Sequence, residues 1–240
     1  MSALAPGRLL AIGDVHGQAN HLESLVDAVA PAAGDRLILL GDYVDGGPDA
    51  ARTLDLVARL QAEHGAVALR GNHDDALAGV LERPDVFPDW AAGMGRRTAA
   101  SYGGDASDLR DRIADRHGAL LDSLADWHEE PQAIFVHAAV DPTRPMPQQS
   151  RPTLLWTKVH APPPMHESGR VVVCGHTAQR DGLPRDLGTT VLLDTDAKRG
   201  GWLTCLDVTS RWCWQSDGRT VRELPLGWRP ENLAMIGGLG

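Results

Sequence analysis

The sequence predicts an α/β fold in which two sheets pack within one domain and helices lie outside. Three observations carry that reading. Residues 9–72 alternate short apolar runs with helical periodicity, and strand–helix–strand–helix–strand order builds a largely parallel sheet with right-handed crossovers. After residue 190 the runs shorten to 191–194, 202–208 and 212–215, separated by Gly or polar turns, which reads as an antiparallel meander. Apolar runs at 9–12, 37–40, 67–69, 134–136 and 171–174 each lead into a residue able to bind a metal: Asp14, Asp42, Asn72, His137 and His176. The C-terminal edge of such strands is where ligands bind in open α/β sheets.

Composition narrows the classes. The chain has 240 residues, 42% hydrophobic and 23% charged, enough for one large globular domain with a substantial core. A net charge of -9 argues against nucleic acid, whose phosphates need a basic surface. An acidic protein still binds an anion locally where metal ions supply the positive charge. Residues 1–7 lack a basic stretch followed by an apolar one, and no run approaches membrane-spanning length, so a cytoplasmic protein without membrane contact is expected. Cys174, Cys205 and Cys213 have no metal-ligand spacing and read as small buried strand residues.

In chain order, 18–30 reads as a helix with Leu22, Leu25, Val26 and Val29 on one face. A second helix follows Pro48 and ends before Gly65. Residues 75–81 form a third, with Asp74 as its cap. The stretch 84–104 reads as an irregular cap segment over the site, and 106–127 as helix in two pieces broken at Gly118. Trp202, Trp212 and Trp214, at strand spacing, are expected in the core. The whole of 1–240 is expected to form a single domain.

The strand-end residues form one constellation: Asp14, His16, Asp42, Asn72, His137 and His176. They offer carboxylate oxygen, amide oxygen and imidazole nitrogen without thiolate. That donor mix suits Mn, Fe or Zn better than Ca or Mg. A site fed by strands of both halves can hold two divalent ions, with Asp42 as a shared carboxylate bridging ions about 3.5–4 Å apart. Any one of these residues alone is ordinary turn chemistry. The order Gly-Asp-x-His-Gly, Gly-Asp-x-x-Asp-Gly, Gly-Asn-His-Asp is what makes the set specific.

The motifs 13–17 (GDVHG), 41–47 (GDYVDGG), 71–74 (GNHD), His137-Ala138 and Gly175-His176-Thr177 resemble those of calcineurin-like metallophosphoesterases of the phosphoprotein-phosphatase type, in the compact bacterial and phage form. Thr98 with Ser101-Tyr102-Gly103, Leu154-Leu155-Trp156, and Asp194-Thr195 with Gly200-Gly201 extend the resemblance over nearly the whole chain. It implies two mixed β-sheets packed as a sandwich flanked by helices, with a dinuclear site between them, manganese being the expected metal. By that resemblance Asp14, His16 and Asp42 hold one ion, and Asp42, Asn72, His137 and His176 the other.

Two cations lower the pKa of a water held between them, so hydroxide is available near neutral pH to attack phosphorus in line. A departing alkoxide needs a proton. His73, next to Asn72, is placed to give it, and Asp45 is the carboxylate that keeps His73 protonated. The resemblance assigns the same pair. Phosphomonoester hydrolysis is therefore expected, with phosphoserine or phosphothreonine proteins or small phosphoesters as substrates. Cleavage of dinucleoside polyphosphates or polyphosphate is the alternative. Family members with that activity usually lack a carboxylate at the Asp45 position. A phosphate-binding regulator without catalysis is a third reading, against which the intact ligand set weighs. Two phosphate-gripping arginines of the family are absent: Gly46 and Lys158 stand in their places. Lys158 with Asn72 is the expected phosphate contact. Position 46 reads as open space, where an arginine would strengthen phosphate binding.

Overall fold

The computed structural model describes residues 7–227. Among the described residues, eleven strands form two sheets. The first has the order β11-β10-β9-β1-β2-β3: β1 (Leu9–Ile12), β2 (Arg36–Leu39), β3 (Val67–Ala68), β9 (Leu203–Asp207), β10 (Trp212–Ser216) and β11 (Val221–Pro225). The second has the order β4-β5-β6-β8-β7: β4 (Trp127–Glu129), β5 (Ala133–Val136), β6 (Val171–Cys174), β7 (Arg185–Asp186) and β8 (Thr190–Leu192). Both are mixed. In the first, β1, β2 and β3 run parallel and β9 pairs antiparallel with β1. In the second, β5, β6 and β8 run parallel between antiparallel edges β4 and β7.

The period of two along each strand sorts the side chains into layers. Leu10, Ile12, Leu37 and Leu39 pack with Leu22 and Leu25 of α1 (Ala19–Val29) and Leu54 and Val57 of α2 (Ala50–His64). Their neighbours Leu9, Ala11, Ile38 and Leu40 face the other way and meet Phe135, Val173 and Val191 of the second sheet. The far face of that sheet, Ile134, Val136, Val172 and Leu192, packs on Met146 and on Leu154 of the helix at Arg151–Trp156. The order is helices, sheet, sheet, helix. A strand buried on both faces must be apolar throughout, which is why these runs do not alternate with polar residues.

Several expectations are corrected. The sheets do not divide by halves of the chain: β8 joins the second sheet parallel to β6, and only β9–β11 form the meander, which returns to pair with β1. Residues 84–104 are not irregular. They carry α4 (Phe87–Ala92) and α5 (Arg96–Tyr102), with Pro88 in the first turn of α4, where its missing N–H has no partner to lose. Phe87, Trp90 and Tyr102 are buried in the helical layer. The helix α6 (Leu109–Ser123) passes through Gly118 unbroken, and 127–129 is strand. The helix α3 (Asn72–Leu81) starts three residues earlier than expected, and α7 is the helix at Arg151–Trp156 already named. Trp212 is 38% exposed rather than in the core. Trp202 is half-buried under the Arg222 guanidinium, 4.0 Å from its ring centre. Cys174, Cys205 and Cys213 are buried free thiols on β6, β9 and β10, as the sequence implies. Among the described residues no helix is long and apolar enough to cross a membrane.

Candidate active site

The loops leaving β1, β2, β3, β5 and β6 meet at one end of the sandwich, so residues from both sheets converge. They turn sharply: His16, Asp42, Asp45 and His176 have φ of 49°, 53°, 61° and 58°. Non-glycine residues adopt this left-handed region rarely, at about 1–3 kcal/mol each, and only where surroundings impose it. Here loop-to-loop hydrogen bonds do so. The N–H groups of Val15 and His16 donate to the Asp42 carbonyl at 3.1 and 2.7 Å, and Gly17 donates to Tyr43 at 2.7 Å. The buried Asp74 carboxylate accepts from Gly71, Asp42 and Tyr43 N–H groups at 2.9, 2.7 and 2.9 Å. Expected only to cap α3, Asp74 does that through Gly71 and also pins the Asp42 turn.

Asp42 lies at the centre. Its Oδ2 is 3.4 Å from His16 Nε2 and its Oδ1 is 3.5 Å from His137 Nε2. The other nitrogen of each ring is already a donor: His16 Nδ1 to the carbonyls of Val44 (3.1 Å) and Asp45 (2.8 Å), His137 Nδ1 to that of Leu40 (2.9 Å). Burial keeps His16 neutral, its pKa lowered to about 4. His16 Nε2 therefore presents a lone pair to a carboxylate oxygen. His137 Nε2 also lies 3.0 Å from Asn72 Oδ1, another acceptor. Carboxylate, amide and imidazole donors thus converge around Asp42 from both sheets, a donor set that fits two cations sharing that carboxylate. Two groups of three, His16–Asp42–His73 and Asp42–His137–His176, each bring their ligand atoms within 4.8 Å of one another.

His176 Nε2 donates to the Trp156 carbonyl at 3.1 Å, which leaves Nδ1 as the acceptor nitrogen of its ring, and burial, then His137, lowers its pKa to about 4. Asp14 reaches the same floor from β1 and accepts the His176 N–H at 3.0 and 3.2 Å. Burial and the charges of Asp194 and Asp42 raise its pKa well above the carboxylate range. Asp194 is raised too, to about 6, chiefly by burial. Buried carboxylates this close favour any arrangement that brings in positive charge.

His73 flanks the centre. Its N–H donates to Asp42 Oδ1 at 3.0 Å and its Nδ1 to Asp45 Oδ2 at 2.8 Å. Burial alone would lower its pKa, but the Asp45 hydrogen bond and the Asp42 charge outweigh it and the pKa is raised. Thr98 of α5 donates to the other Asp45 oxygen at 2.6 Å and accepts the Asp45 N–H at 2.9 Å, locking that side chain.

Lys158 is exposed on the His176 side. A nearer cation is Lys198, from a turn of 3-10 helix at Ala197–Arg199 between β8 and β9, with Nζ 2.9 Å from His73 Nε2. Lys198 sits between Asp194-Thr195 and Gly200-Gly201, the only local sign of it in the sequence. Position 46 is not open space. A Cβ there would lie 2.6 Å from Lys198 Cγ, and Gly46 has φ 117°, a conformation that side chains resist.

The profile of the calcineurin-like phosphoesterase family matches residues 7–180. A symmetrical bis(5'-nucleosyl)-tetraphosphatase of Methylococcus capsulatus is 32% identical over 135 residues, 56% of this chain and 44% of that protein. The chain thus matches less than half the length of that curated relative. A solved structure of a candidate diadenosine tetraphosphatase covers 94% of this chain and 96% of its own, with TM-score 0.60 and 22% identity. A cold-active protein tyrosine phosphatase superposes with TM-score 0.67 at 15% identity, covering 92% of this chain and 80% of that one. The fold is common to enzymes whose names differ in substrate, while the profile spans most of the chain and the strands that form the site: the protein belongs to the calcineurin-like phosphoesterase family.

Proposed function

We propose that this chain is a dinuclear-metal-dependent hydrolase acting on the phosphoanhydride bonds of dinucleoside polyphosphates or polyphosphate. This reverses the order of substrates expected from sequence. One observation carries the hydrolytic reading: each oxygen of Asp42 faces an imidazole nitrogen from a different sheet, at 3.4 and 3.5 Å. The names of relatives, as tetraphosphatases, support the substrate class.

Asp14, His16 and Asp42 would hold one ion and Asp42, Asn72, His137 and His176 the second, and manganese suits these mixed donors. When bound, such ions acidify water and neutralise phosphoryl oxygens. The chain supplies the rest. His73 delivers a proton from Nε2 to the leaving oxygen, Asp45 orients the ring from Nδ1, and Thr98 fixes Asp45. Asn72 and Lys158 contact phosphate, and 84–104 acts as the cap that brings Thr98 to the site.

Phosphomonoesters, including phosphoserine and phosphothreonine proteins, are the second reading. The 2.8 Å His73–Asp45 bond favours it, because an alkoxide needs a proton far more than a departing phosphate does. A comparison of kcat/KM with manganese on diadenosine tetraphosphate, tripolyphosphate, an aryl phosphate and a phosphoserine peptide decides between them. The anhydrides should be preferred. A preference for the peptide would put the monoester reading first, and no turnover of any of the four would remove the hydrolase.

A further inference from the structure

Beside His73 a cavity of about 340 Å³ opens between the cap segment and the 197–199 turn. Its charged lining is Arg96, Arg97, Lys198 and Arg199, against one carboxylate, Asp45. That carboxylate is committed to His73 and Thr98. Arg199 is paired with Asp196 at 2.9 Å, which leaves Arg96, Arg97 and Lys198, and that local excess of positive charge in a chain of net charge -9 marks a place for an anion. Lys198 reaches it because residue 46 has no side chain: a Cβ would meet its stem at 2.6 Å.

The Lys198 ammonium has only donors, so at 2.9 Å it gives a hydrogen to His73 Nε2, while His73 Nδ1 gives its own to Asp45. In that arrangement Nε2 is occupied by Lys198. A phosphate oxygen is a stronger acceptor for an ammonium than an imidazole nitrogen. On the His176 side, Arg199 also lines a second cavity of about 470 Å³ with Lys158 and Arg180. Cations thus stand on both sides of the Asp42 centre.

We propose that the recess beside His73 binds the linked phosphate groups of the substrate beyond the one attacked, and that Lys198 transfers from His73 Nε2 onto them. The ligand class is a chain of at least two phosphates, whether inorganic or carried between nucleosides. A phosphomonoester leaves the recess empty and Lys198 on His73. This deepens the hydrolase reading and rests on it for the attacked phosphate, but binding in the recess requires no turnover.

The test is calorimetric titration of the metal-free protein at fixed ionic strength with inorganic tripolyphosphate, orthophosphate and diadenosine tetraphosphate. Tripolyphosphate should bind about tenfold or more tighter than orthophosphate, since each added charge-assisted contact is worth about that factor. Lys198→Met and Arg97→Ala should each lose about tenfold toward tripolyphosphate with little change toward orthophosphate. Exposed Arg96→Ala, which also lines the recess, should lose affinity for tripolyphosphate while melting with the parent, and so guards against misfolding of the other two. A loss shared equally by tripolyphosphate and the dinucleotide assigns the recess to any phosphate chain, and a larger loss for the dinucleotide assigns it to the nucleoside-bearing source. Equal affinity for tripolyphosphate and orthophosphate, or folded variants that bind tripolyphosphate like the parent, overturns the proposal. Intact recess binding without hydrolysis by the manganese-loaded protein would instead remove the hydrolase reading alone.

Discussion

Replacing Gly46 is the perturbation whose outcome the structure reverses. From sequence, an arginine at 46 would grip phosphate. In the structure φ at 46 is 117° and the new Cβ would sit 2.6 Å from Lys198 Cγ. Forcing a side chain into that backbone region costs about 1–3 kcal/mol. The contact is about 1 Å inside the optimal carbon–carbon separation of about 3.5–4 Å, so the Lys198 stem must move and carry its ammonium off His73. For a protein of this size each kcal/mol lowers Tm by about 2–4 °C, so Gly46→Ala should melt about 2–12 °C below the parent. Gly46→Arg should do so too, with no gain in phosphate affinity. A thermal double-mutant cycle separates the two costs. In a Lys198→Ala background the backbone cost remains while the clash with Cγ is gone, so the two substitutions should couple by about 0.5–3 kcal/mol. If Gly46→Ala melts with the parent, or Gly46→Arg binds phosphate more tightly at unchanged stability, the reasoning about position 46 is wrong.

Other outcomes follow from the same geometry. Metal analysis after manganese reconstitution should approach two equivalents, and Asp42→Asn should lower occupancy at both sites because both oxygens face ligands; retention of both ions would sink the shared-carboxylate assignment. His73→Asn should keep its metals and lose about 10²–10⁴-fold in turnover on alkyl phosphates, and much less on aryl phosphates. An equal loss on both would remove the proton-delivery role. Away from the site, Asp35 accepts from Arg8 N, Nε and Nη2 at 2.7, 3.0 and 2.6 Å. Burial raises its pKa, but those bonds outweigh it and the pKa is lowered. A depressed carboxylate stabilises the fold above its unfolded pKa of about 3.9 and loses that contribution as pH falls through the folded value. Asp35→Asn should thus cost about 1–3 kcal/mol in urea unfolding at pH 7, and the gap to the parent should close toward pH 3. A gap independent of pH would show that the hydrogen bonds are insensitive to the charge.

The parts legible in sequence are those decided locally. Apolar runs ending in Gly-Asp, Gly-Asn or Gly-His identify β1, β2, β3 and β6, and a run ending directly in His137 identifies β5, because strand burial and tight turns are short-range matters. Sheet membership was not legible. Thr190–Leu192 and Leu203–Asp207 are both short and apolar, and only pairing distinguishes them: β8 lies beside β6 and β9 beside β1. The start of α3 at Asn72 was hidden because Gly71, which precedes it, has no capping side chain, and Asp74 does that work from inside the helix. The prolines of 84–104 suggested irregular chain, yet Pro88 falls where a helix admits one. Lys198 was beyond reach for another reason. Its contact with His73 spans 125 residues and depends on where the loop between β8 and β9 is carried by two different sheets.

Asp14 belongs to a loop of the first sheet, and the N–H it accepts belongs to His176 in the second. Its Oδ1 occupies the volume a side chain at Gly175 would need. His137, from the second sheet, donates to Leu40 of the first at 2.9 Å. The floor of the candidate site is therefore also the seam that joins the two sheets at this end. A chimera taking residues up to about the α6–β4 junction from one relative and the remainder from another would have to match loop against loop across the seam. Divergence that either half tolerates by itself would be filtered by its counterpart, so the floor constrains recombination as well as chemistry.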